Sequence, residues 1–133
     1  MFKRLTTAFF SSLLAVPVVL VLSATASHAE AALVMAEEPG CMWCARWNSE
    51  IGPIYPKTSE GQAAPLRRIN ILDPLPEDIT LARRVNFTPT FILLVDGIEQ
   101  SRIDGYPEED FFWGLLGQML TREGIPFEVK VSK

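Results

Sequence analysis

The chain has only two cysteines, and they lie three positions apart in the run Cys41-Met42-Trp43-Cys44. A link between them closes a loop with two intervening residues, so it removes little entropy from the unfolded chain and stabilises the fold poorly. In an oxidising compartment a lone pair is commonly a structural staple. This spacing opposes that use and favours chemistry. The pair follows the apolar run Leu33-Val34-Met35 and opens a stretch that can be helical. A thiol at a helix N-terminus faces unpaired N–H groups and the positive end of the backbone dipole. Those stabilise a thiolate and lower a thiol pKa from about 8.5 into roughly the 3.5–7.5 range. The second cysteine, one turn on, lies on the same helix edge and can close a small ring. The pattern points to dithiol–disulfide exchange.

The first residues read as an export signal. Lys3 and Arg4 give the positive start, residues 9–22 are largely apolar, and Ser27-His28-Ala29 supplies small residues for cleavage before Glu30. Residues 1–29 are therefore assigned to a signal peptide, with an uncleaved N-terminal anchor as the alternative. The working domain is residues 30–133, outside the cytoplasm. The formal charge is −4 at pH 7, and removing Lys3 and Arg4 makes it more negative. An acidic domain without a basic run argues against nucleic acid as a partner. His28, the only histidine, leaves with the signal. A Cys/His hydrolase is then excluded, and two cysteines alone cannot complete a tetrahedral structural zinc site.

Patterning predicts one small α/β domain: a strand over 31–35, a helix over 41–50 stopped by Gly52-Pro53, a loop over 54–64 and a strand over 65–72. Asp73-Pro74-Leu75-Pro76 breaks that strand, and a short helix is predicted over 77–85. The run TFILLV at 90–95 is the strongest strand, apolar on both faces and so central. Asp96-Gly97 signals a hairpin into a strand over 98–104. Pro107 opens a last helix, with Glu108, Glu109 and Asp110 complementing its dipole. Phe111, Phe112, Leu115, Leu116, Met119 and Leu120 are placed on one face. Gly114 and Gly117 among them suggest close packing against a neighbour. The expected architecture is a mixed four-stranded sheet with helices on both faces.

Two motifs carry a family resemblance: Gly40-Cys41-Met42-Trp43-Cys44 at a helix start, and Phe87-Thr88-Pro89-Thr90 just before the central strand. Over most of residues 33–120 the pattern resembles the thioredoxin superfamily. More narrowly, CARWNSEIGPIYPKTSEGQAAPLRRINILDPLP, FTPTFILL and GYPEEDFFWGLL resemble the periplasmic thioredoxins of bacterial sulfur-oxidation systems, the SoxS type. That resemblance implies a thiol–disulfide oxidoreductase that reduces disulfides on a partner such as a sulfur-carrier protein. It also implies a membrane thiol-electron transporter as electron source, and no cofactor beyond the Cys41–Cys44 disulfide. It makes Pro89 the superfamily's cis-proline beside the dithiol, with the Thr88 backbone pairing an incoming peptide.

In this reading Cys41 is the nucleophile and Cys44, more buried, resolves the mixed disulfide. Trp43 either offers an apolar contact to substrate or packs on its own helix. The sequence departs from the family at three places. Gly40 replaces the usual Trp, Met42-Trp43 lies between the cysteines, and Met35 stands where a buried acid is usual. Glu37 and Glu38 are read as solvated loop charges, and Arg67-Arg68 and Arg83-Arg84 as solvated edges. Two rival functions remain. One is a thiol oxidase or disulfide isomerase using the same residues. The other is a Cu(I) carrier using Cys41 and Cys44 with the thioether of Met42 or Met35.

Overall fold

The structure, a computed structural model, describes residues 29–128; the expected signal peptide falls almost wholly outside them. Four strands form one sheet: β1 (Ala31–Glu37), β2 (Leu66–Asn70), β3 (Thr90–Val95) and β4 (Ile98–Asp104). Their order is β2-β1-β3-β4. β1 runs parallel to β2, while β3 is antiparallel to both β1 and β4. Leu33 to Ala36 of β1 and Phe91 to Leu94 of β3 are all buried, as strands covered on both faces must be. Asp96 and Gly97 both take positive φ (51° and 79°), the two-residue turn whose twist matches a hairpin. This is the single thioredoxin-like α/β domain, with a mixed four-stranded sheet, that the pattern implied.

Among the described residues three α-helices accompany the sheet: α1 (Met42–Glu50), α2 (Ser59–Ala63) and α3 (Glu109–Arg122). One core cluster gathers Leu33, Met35, Phe91 and Leu93 from the sheet with Trp47 of α1 and Phe112, Leu116 and Leu120 of α3. Trp47 is its centre, with ring centroids 5.2 Å from Phe91 and 5.7 Å from Phe112. Such aromatic pairs add about 0.5–1.5 kcal/mol each beyond the area they bury.

The other face of the sheet differs from expectation. Residues 77–85 form no helix. Ile79 instead packs with Val34, Ile92 and Leu94 from an irregular segment, with Leu81 and Val85 packed against the cluster. The backbone groups that a helix would pair internally go elsewhere. Thr80 N–H donates to Gly97 C=O (2.8 Å), Glu99 N–H to Thr80 C=O (2.9 Å) and Ala82 N–H to the Glu99 carboxylate (2.7 Å). Arg102 donates to the carbonyls of Arg83 and Arg84. Tertiary hydrogen bonding outweighs a weak local helix preference here.

Smaller differences have local causes. The predicted loop over 54–64 is ordered into a 3-10 turn (Tyr55–Lys57) and α2. The Thr58 hydroxyl accepts the Gly61 N–H (3.0 Å) and Tyr55 donates to Ala64 C=O (2.7 Å). α3 begins at Glu109, two residues after Pro107. Of its apolar stripe, Phe111 and Leu115 are exposed, because the buried line runs through 112, 116, 119 and 120. Gly117 faces Phe127, whereas a Cβ at Gly114 would meet open space.

Candidate active site

Gly40, at φ +80°, turns the chain from the end of β1 into α1, and Cys41 is the N-cap of that helix. The Cys41 sulfur accepts the N–H of Cys44 at 3.1 Å. One of the amides left free at a helix start is therefore aimed at the Cys41 sulfur. Cys41 and Cys44 are joined as a disulfide, with Cα atoms 5.2 Å apart. Cys41 is half-buried and Cys44 is 3% exposed, so the first cysteine is the more accessible of the two. Met42 and Trp43 stand out into solvent beside them. The Arg46 guanidinium lies 5.5 Å over the Trp43 ring.

The second half of the site comes from the segment entering β3. The Thr88–Pro89 peptide is cis. Pro89 C=O accepts Gly105 N–H (2.8 Å), and the Thr90 hydroxyl donates to Phe87 C=O (2.7 Å). Trp43 and Thr88 line one cleft of about 410 Å³, together with Phe87, Asp104, Gly105 and Tyr106. Phe87, 65% exposed, is a functional candidate that sequence reading passed over. Its signal was a large aromatic side chain one residue before Thr88-Pro89. A larger cleft, about 750 Å³ between α2 and α3, contains none of these residues.

Most charges near the site are paired while remaining partly exposed to solvent. Glu37 binds Arg68 (3.1 Å), and Arg68 also donates to Asn48 (2.8 Å). Glu38 accepts the Thr88 hydroxyl (2.6 Å). Arg67 pairs with Asp78 and Arg83 with Asp104. The reading of these residues as solvated charges is refined: Glu37, Glu38, Arg67, Arg68 and Arg83 find partners once distant strands come together while staying partly exposed, and Arg84 is exposed as expected. Glu50 accepts from Arg46 (2.9 Å) and from the Tyr106 hydroxyl (2.7 Å), and those bonds hold its carboxyl below the usual range. Met35, one of the two thioethers considered for Cu(I), is buried in the core with its sulfur against Arg68.

Two sulfurs so placed exchange a pair of electrons with another disulfide through a mixed-disulfide intermediate. That is thiol–disulfide oxidoreductase chemistry, and the fold that presents it is thioredoxin-like. The periplasmic thioredoxin SoxS from Paracoccus pantotrophus, solved in its reduced form, is 51% identical, with a TM-score of 0.69. The match covers 71% of this chain and 99% of that one. A thioredoxin from Fasciola hepatica is 15% identical, with a TM-score of 0.49 over 68% of this chain and 82% of that one. No family model matches the chain, and no curated protein does. The chain belongs to the thioredoxin superfamily and is SoxS-like within it.

Proposed function

We propose that this protein is a periplasmic reductase that clears disulfides from a partner protein, with a sulfur-carrier protein as the substrate class. Its own reductant is a membrane thiol-electron transporter. The observation that carries this reading is the 51% identity to a periplasmic thioredoxin SoxS over 99% of that chain. The signal-like run in residues 1–29 supports export.

The reaction needs no cofactor. In the reduced protein the Cys41 thiolate, held by the Cys44 amide, attacks one sulfur of the partner disulfide. The partner's S–S bond breaks, and its departing sulfur leaves as a thiolate that takes up a proton. Cys44, losing its proton, then attacks the Cys41 sulfur and expels the second partner thiolate. Two electrons have passed to the partner, and the Cys41–Cys44 disulfide remains. Thr88 pairs its backbone with the substrate peptide, and Trp43 supplies an apolar wall.

The test is a trap. Cys44→Ser is expressed in the native host and whatever stays linked to Cys41 is identified. The expected catch is a periplasmic sulfur-carrier protein, released by reductant. Recovery no better than from a Cys41→Ser control would reject the reductase reading.

A further inference from the structure

Glu38 joins the two halves of the site. Its backbone carbonyl accepts the Cys41 N–H (3.3 Å) in the turn leading into α1. Its carboxylate accepts the Thr88 hydroxyl at 2.6 Å, the O–H···O⁻ length of a charge-assisted bond. Thr90 also stands opposite Ala36 in the β1–β3 ladder, and the remaining bonds of residues 87–90 are Thr90 to Phe87 C=O and to Asp104, and Gly105 to Pro89 C=O. Among the described side-chain hydrogen bonds, Glu38 to Thr88 is the one tying that loop to the segment that bears Cys41. The neighbouring Glu37 turns instead to Arg68 on β2, so the two acids are not interchangeable.

We propose that Glu38 is a positioning residue for substrate docking. It sets the Thr88 backbone relative to Cys41, so that a peptide pairing with Thr88 presents its disulfide to the attacking sulfur. This rests on the reading of Thr88 and Cys41 given under Proposed function. Geometry fixed before binding lowers the ordering cost of the complex. A small disulfide without a peptide backbone gains nothing from Thr88 and does not need Glu38. A carboxylate acting through its charge would behave differently. Removing it would ease thiolate formation and speed reaction with every disulfide.

The experiment compares reduced wild type with Glu38→Ala, Glu38→Gln, Thr88→Val and the Glu38→Ala/Thr88→Val double variant. Two oxidants are mixed with each in stopped flow: a disulfide-linked peptide and 5,5′-dithiobis(2-nitrobenzoate). Glu38→Ala is expected to slow the peptide reaction about tenfold, the loss typical of a hydrogen bond to a charged group, and to leave the small oxidant within about twofold. Glu38→Gln, whose amide oxygen still accepts, keeps most of the peptide rate. Thr88→Val matches Glu38→Ala, and the double variant is no slower than either single one. Three results would overturn the proposal: an unchanged peptide rate in Glu38→Ala, equal losses on both oxidants, or Glu38→Gln as slow as Glu38→Ala. A wild type that reacts with the small oxidant but not with the peptide sinks the docking reading and this inference together.

Discussion

The N–H of Cys44 donates to the sulfur of Cys41, three residues earlier, across 3.1 Å. In the oxidised protein this bond caps α1. Once the disulfide opens, the same amide faces a sulfur that can carry negative charge, at the positive end of the helix.

Reduced Cys41 should therefore react as a thiolate well below the pH at which an ordinary thiol ionises. In the reduced protein its alkylation rate against pH should report a pKa within roughly 3.5–7.5, against about 8.5 for a free cysteine. Cys44, buried, should be alkylated far more slowly. A midpoint for Cys41 near that of free cysteine would contradict the helix-start account.

Trp43 and Phe87 line the same cleft as Thr88. Trp43→Ala and Phe87→Ala should each lower kcat/KM for a protein disulfide by about 1–2 kcal/mol equivalent, as loss of an aromatic anchor does. Phe87 is largely exposed, so Phe87→Ala should leave stability within about 0.5 kcal/mol of wild type. Thermal melts alongside steady-state rates would separate the two effects.

Glu99 and Arg102 form an ion pair on β4 in which each side chain is 5% exposed. Together they hold the irregular segment at 80–84 through bonds to Ala82 N–H and to the carbonyls of Arg83 and Arg84. Arg102→Ala leaves a buried carboxylate without its cation and should cost about 3–5 kcal/mol, read from denaturant unfolding.

The pair also sets an acid limit. Burial pushes the Glu99 carboxyl up, but the bonds from Arg102 and the Ala82 N–H outweigh it and hold the group below its usual 4.5. A carboxylate more acidic in the folded state stabilises the fold above its unfolded pKa, and that contribution fades as pH falls through the folded value. Wild-type stability should thus decline below pH 4.5 or so. Glu99→Gln should begin less stable at neutral pH and show a flatter acid limb.

Glu108, the N-cap of α3, has φ 76° and ψ 164°, a region suited to glycine, and its side chain makes no capping bond. Its ion pair with Arg46, 3.7 Å and exposed, contributes little. Glu108→Gly should therefore raise stability by about 1 kcal/mol, seen as a higher melting midpoint without change in activity.

Much of the fold and the placement of the two cysteines at a helix start were legible in the sequence because local rules dictate them. The CxxC spacing predicts a dithiol at a helix start, and Asp96-Gly97 predicts the turn it forms. The apolar runs of β1 and β3 mark strands buried on both sides. Long-range pairing was not legible. Residues 77–85 give up a helix because Gly97, Glu99 and Arg102, more than a dozen positions on, take their backbone hydrogen bonds. Glu38 read as a free charge because nothing local says that Thr88, fifty residues later, closes onto it. Periodicity encodes which side of an element is buried. Which polar groups meet across the sheet is fixed only once the strands take their order β2-β1-β3-β4.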